Sequence, residues 1–182
     1  SHWPLAKHLV KVYKSHCFLI FMKFDLSRIE MSRNDMAKGL TLPSFLDERL
    51  AEFIGIMIGD GHLGCYPGFS TSGNKITRVD VRIAANVDEQ QYITHICGLF
   101  YSLFRVVLIY QPDNRSKAVI LRANSKGLVQ FLHEVCEIPL NRKTNTVFIP
   151  EIIKKSGNKI KYGFLRGLAD TDFSITFRFR IN

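Results

Sequence analysis

Two aspartates, Asp60 and Asp172, are the side chains whose setting most suggests chemistry. Each closes a segment of helical character in which small residues recur at every fourth position. Ala51, Gly55 and Gly59 precede Asp60, and Gly163, Gly167 and Thr171 precede Asp172. Residues four apart share one helix face, so each helix carries a stripe along which a second backbone can approach closely. Packed side by side, two such helices bring both acids to one end of the pair. A carboxylate at a helix C-terminus faces the negative end of the dipole, and two neighbouring carboxylates repel. The arrangement invites a cation, and carboxylates with backbone carbonyls suit a hard ion such as Mg2+ or Ca2+. One Gly-Asp-Gly after a helix is ordinary turn chemistry. The repetition of stripe, acid and following strand lifts it above that.

The elements that must position these acids follow from periodicity. Apolar residues at Leu50, Phe53, Ile54, Met57 and Ile58 predict a helix from Asp47 to Gly59, capped by Ser44 or Asp47. Strands are expected over 62–70 and 78–86, joined by Thr71-Ser72-Gly73-Asn74. Within 78–86 the alternation is strict. Arg78, Asp80, Arg82, Ala84 and Asn86 share one face, and Val79, Val81, Ile83 and Ala85 share the other. Asp88 reads as the cap of a helix running to about residue 103. A hairpin over 105–110 and 117–123 turns at Pro112-Asp113-Asn114, and Ser125 starts another helix. Residues 139–160 read as a linker, followed by a helix over 161–171. From Phe173 to Arg180 a second alternation sets Ser174, Thr176, Arg178 and Arg180 on one face. The order is αββαββα, an α+β fold with an antiparallel sheet backed by helices.

Composition limits the partners. The 182 residues carry 25 Lys and Arg against 16 Asp and Glu, a net charge of +9, which points to a polyanion without separating DNA from RNA or lipid. The four cysteines are Cys17, Cys65, Cys97 and Cys136. No two form a CxxC pair, which argues against a zinc knuckle or a disulfide framework. The apolar run at 17–22 is far shorter than the ~20 residues of a membrane span, and no secretory signal is evident. An intracellular protein, cytoplasmic or organellar, with no membrane partner is expected.

The two helical segments, FIGIMIGDG at 53–61 and LRGLADTDF at 165–173, resemble the paired motifs of LAGLIDADG homing endonucleases. The resemblance covers roughly 47–182. It departs at Phe173, where the motif ends in Gly, and at Ile58, where an acid is frequent. It implies a first repeat over 47–138, a linker over 139–160 and the start of a second repeat over 161–182, with an N-terminal basic extension over 1–46 of no assigned role.

The resemblance also implies roles. Asp60 and Asp172 would bind the divalent metal, Mg2+, at the scissile phosphates, joined by the main-chain oxygens of Gly59 and Thr171. Asn86, with Gln90 as the weaker choice, would help place the attacking water. Lys143, in Asn141-Arg142-Lys143-Thr144, would stabilise charge at phosphate. The saddle of strands would lie along the major groove and read DNA through Tyr66, Arg78, Asp80, Arg82, Lys117 and Arg122, and through Arg178 and Arg180 in the second saddle. The implied activity is a monomeric, site-specific endonuclease acting on double-stranded DNA. The alternatives are a maturase binding intron RNA and a non-cleaving DNA-binding regulator on the same scaffold. Only ten residues follow Asp172, about one strand, so a C-terminally truncated chain is expected, one that alone neither cuts efficiently nor recognises a full site.

Overall fold

The computed structural model describes residues 23–113, 116–141 and 148–172, with Asp172 described by its backbone alone. Its elements run α1 (Arg33–Ala37), α2 (Glu48–Gly59), β1 (Gly61–Phe69), β2 (Lys75–Asn86), α3 (Gln90–Phe104), β3 (Ile109–Pro112), β4 (Ala118–Ala123), α4 (Lys126–Gln130), α5 (Glu151–Lys154) and α6 (Asn158–Asp172). A π-helical turn over Phe131–Val135 prolongs α4. From α2 to α4 the order is the expected αββαββα. The four strands form one antiparallel sheet in the order β1-β2-β4-β3.

Asp47 supplies the α2 cap, accepting the Leu50 N–H at 2.8 Å. Every residue from Leu50 to Ile58 is buried, because α2 is covered on one side by α6 and on others by α3 and β1. Val81 and Ile83 on β2 meet Val119 and Leu121 on β4 in the core beneath the sheet. Helix α3 closes that core with Phe100 and Phe104, whose rings lie 5.6 and 5.3 Å from Phe53. Such contacts add roughly 0.5–1.5 kcal/mol each beyond the burial of their area.

Several boundaries differ from expectation. Asp88 does not cap α3: its carboxylate accepts from Lys117 Nζ at 2.6 Å, and the N-cap position falls to Glu89 without a side-chain bond. The third strand begins at Ile109 rather than 105, because Arg105 ends α3 in the left-handed region (φ 58°) and Val106 and Leu108 turn into the core. The linker contains α5, and α6 starts at Asn158.

The segment before α2 is built in as well. Ser32 and Asp35 form a reciprocal cap on α1. Asp35, fully buried, also accepts the Gly127 N–H at the start of α4. Residues 31–37 are thereby tied to a helix some ninety positions away. Among the described residues no helix is long and apolar enough to cross a membrane, and Cys65, Cys97 and Cys136 are free thiols.

Candidate paired-acid site and nucleic-acid face

The two small-residue stripes meet. A Cβ placed on Gly55 would lie 2.2 Å from the Phe164 carbonyl oxygen, and one on Gly167 2.0 Å from that of Glu52. Gly163 stands in the same relation to Glu48, at 2.6 Å from its carbonyl oxygen. At the far end a Cβ on Gly59 would lie 1.9 Å from Thr171 Oγ1. The side chains are absent where the backbones touch, so α2 and α6 run together with Gly59 against Thr171 and both helices ending at the same level. Asp60, the C-cap of α2, and the backbone of Asp172, the last residue of α6, therefore belong to one end of the pair.

Asp60 is also fixed from the sheet side, since its carbonyl accepts the Ala84 N–H at 3.1 Å. Negative charge gathers there. Tyr92 on α3 has its hydroxyl pushed well above the ordinary phenol range by burial first, and then by the charges of Asp60, Asp170 and Glu89. Among the described residues no three His, Cys, Asp or Glu side chains converge as a metal site. The donors the helix ends offer are carboxylate and main-chain carbonyl oxygens, a hard set that fits Mg2+, Mn2+ or Ca2+ better than a soft-ligand metal.

About two turns back along the pair, α2 and α6 are joined by charge. Glu52, 3% exposed, accepts from His95 Nε2 of α3 at 2.7 Å and from Arg166 of α6. Arg166 reaches Glu48 as well, at 3.5 Å. Burial raises the Glu52 carboxyl, but the bonds from Arg166 and His95 outweigh it, and the net shift is downward. Glu52, Tyr92, His95, Arg166 and Asp170 line an open cleft of about 480 Å3.

The chain is similar to solved homing endonucleases. An I-DmoI variant with its nicked target DNA and Mn aligns with a TM-score of 0.47 at 22% identity, over 68% of this chain and 60% of that one. A mesophilic variant of the homing endonuclease I-DmoI gives 0.49 at 19%, over 68% and 56%. The LAGLIDADG homing endonuclease I-LtrWI, bound to target DNA, gives 0.37 at 14%, over 52% and 32%. The chain thus spans less than two thirds of the length of each. No family model and no curated protein matches it.

The polar sheet face carries the remaining sequence-predicted residues. Tyr66 stands opposite Arg78, Gly64 opposite Asp80, and Arg82 opposite Arg122. Arg78 is exposed and bonds the Phe69 carbonyl. Lys117, exposed, is the partner of Asp88. Asn86 ends β2 two residues beyond Ala84 and accepts the Asp88 N–H at 3.0 Å, while Gln90 caps the Val87 carbonyl.

Asp80 corrects the expectation most. The alternation puts it on the polar face, but it is 2% exposed and bound by Arg82 and Arg122. It offers no surface acceptor to a cytosine. His62 was not anticipated: its Nε2 lies 2.5 Å from the Tyr66 hydroxyl, with the two rings stacked. Its parity with Tyr66 on β1 was the available signal. Lys143, Arg178 and Arg180 lie outside the described residues, as does the side chain of Asp172. The segment leading to Lys143 is anchored, however. The Asn141 N–H donates to Leu63 O at 2.7 Å, and Asn141 Oδ1 accepts the Cys65 N–H at 2.9 Å.

Proposed function

We propose that this protein is a site-specific, divalent-metal-dependent endonuclease of the LAGLIDADG type, acting as a monomer on double-stranded DNA. The observation that carries the reading is the contact of Gly59 with Thr171, which ends two motif helices side by side with an aspartate on each. Asp60 and Asp172, with the main-chain oxygens of Gly59 and Thr171, hold Mg2+. When bound, the metal supplies charge neutralisation at the scissile phosphates and activation of water for hydrolysis. Asn86, at the end of β2, orients that water. Lys143, two residues beyond the anchored Asn141, is assigned the role of lowering the cost of the charge that builds at phosphate.

The sheet supplies the other half of the activity. A cationic antiparallel surface fits the major groove, where arginine forks pair with base edges and phosphates fix the register. The net charge of +9 raises the local concentration of any polyanion and leaves discrimination to the sheet face.

The test is a selection from randomised duplex DNA and from randomised single-stranded and hairpin RNA, with the bound duplexes then incubated in Mg2+. Enrichment of one family of duplexes that is nicked or cut in Mg2+ supports the reading. Enrichment of RNA alone overturns it in favour of a maturase. Selective duplex binding with not even slow nicking or cutting under any divalent ion overturns it in favour of a regulator.

A further inference from the structure

Asp80 sits at the centre of a connected polar array spread over three strands. Its Oδ2 accepts from Arg82 Nε at 3.0 Å, Arg82 Nη2 at 2.8 Å and Arg122 Nη2 at 2.6 Å. Arg82 and Arg122 are cross-strand partners on β2 and β4, so one carboxylate oxygen serves both guanidiniums. Without it the two cations would repel across the ladder. With it they stand together as a unit of net charge +1. Room for the carboxylate comes from Gly64, the cross-strand partner of Asp80: a Cβ there would lie 2.2 Å from Asp80 Oδ1 and 2.5 Å from Tyr66 Cε2.

The array is braced on its other flank. The Arg82 guanidinium lies over the Tyr66 ring, 5.7 Å from its centroid, and the Tyr66 hydroxyl is held by His62. Asp80 takes the Nε–Nη2 edge of Arg82, which leaves the Nη1–Nη2 edge directed away from it. The Arg82 side chain is 37% exposed and that of Arg122 30%, against 3% for Asp80. What the face presents outward is therefore a pair of fixed guanidinium donors.

We propose that Asp80 is a specificity-determining positioning residue: it touches no base, and it locks Arg82 and Arg122 into a subsite that reads the major-groove edge of guanine. Guanine shows two acceptors there, O6 and N7, which match the free Arg82 fork. Cytosine shows only a donor, and adenine pairs one acceptor with a donor, so neither satisfies two donors at once. A phosphate would also accept from the fork, but it would do so at every sequence. The inference rests on the DNA-binding reading above and gives it one base and three residues.

The test compares the full chain with Asp80→Asn and Arg82→Lys in selections from a randomised duplex pool. Binding is then measured to the winning duplex carrying 7-deazaguanine in place of each guanine. The wild type is expected to enrich an invariant G·C pair and to lose about tenfold or more in affinity when N7 of that guanine is removed. Asp80→Asn is expected to reduce the preference at that pair to a few-fold. Its affinity for random duplex rises, because the face gains one positive charge. Arg82→Lys, which keeps the charge and most of the packing, is expected to lose the same preference, and an Asp80→Asn variant that unfolds in urea like wild type shows that its loss comes from positioning and not from misfolding.

An unchanged guanine preference in Asp80→Asn overturns the role of Asp80, and an unchanged preference in Arg82→Lys overturns the subsite itself. So does a loss of affinity that is uniform across sequences, which marks phosphate contacts. If the wild type enriches no duplex at all, the DNA-binding reading fails and this inference fails with it. A G-free consensus leaves that reading standing and removes this inference alone.

Discussion

Gly59 and Thr171 occupy one position seen twice: each is the last small residue of a stripe, and each precedes an aspartate. A Cβ on Gly59 would lie 1.9 Å from the Thr171 hydroxyl oxygen and 2.6 Å from its Cβ. That closeness requires glycine at the helix crossing and fixes where Asp60 sits relative to the end of α6. The two helix ends are brought together by steric means, by what is missing between the helices where α2 packs against α6.

The crossing gives a prediction of opposite signs. In Gly55→Ala the new methyl meets the Phe164 carbonyl and the Leu168 nitrogen, which are backbone atoms that cannot turn aside. Overpacking there should lower stability by about 1–3 kcal/mol net of the helix-propensity gain. Gly98→Ala on α3 meets nothing within 4 Å and should gain up to about 1 kcal/mol. Urea unfolding of the two variants decides it. Equal effects at both sites would contradict the close approach.

Glu52 ties stability to pH. Its folded carboxyl titrates below the ordinary value of 4.5. The stabilisation it contributes is therefore full above about pH 4.5 and is lost as pH falls through the lower folded value. Glu52→Gln should be less stable than wild type near neutrality, and the gap should close as pH falls below about 4.5 and through the lower folded value. Unfolding free energies measured across that range test it. A gap that does not change with pH would show that the ion pair with Arg166 is not what holds this residue.

Asp35 is the staple of the N-terminal segment. Removing its carboxylate in Asp35→Ala leaves the Ser32 and Gly127 N–H groups without that acceptor in a buried place. The expected loss is about 2–3 kcal/mol. Hydrogen exchange should show α1 and the first turn of α4 opening together, ahead of the sheet. Exchange that rises in α1 alone would contradict the link to α4.

How much of this was legible in the sequence depends on the distance over which each feature is specified. The α2 helix, its Asp47 cap and the Ser70–Asn74 turn are local, and their period and residue types declare them. The helix pair is not local, yet close backbone approach demands small residues, and that demand is written into both segments. Asp80 was placed on the right face and given the wrong surroundings. Its burial depends on Gly64 across one strand and Arg122 across another, so it follows from register and not from alternation. Glu52 shows the same limit, since its partners come from α3 and α6. Asp88 reads as a cap until Lys117, a residue of the neighbouring hairpin, takes its carboxylate. The structure of α1 depends on Gly127, far along the chain, and no local pattern announces it.

The measurement that bears most directly on the central claim is single-turnover cleavage of a selected duplex with protein in excess, in Mg2+, for the wild type, Asp60→Asn and Asp172→Asn. The account predicts that both variants bind within about threefold of wild type and that the wild-type cutting rate falls at least about 100-fold in each. Cleavage at the wild-type rate in either variant would contradict it.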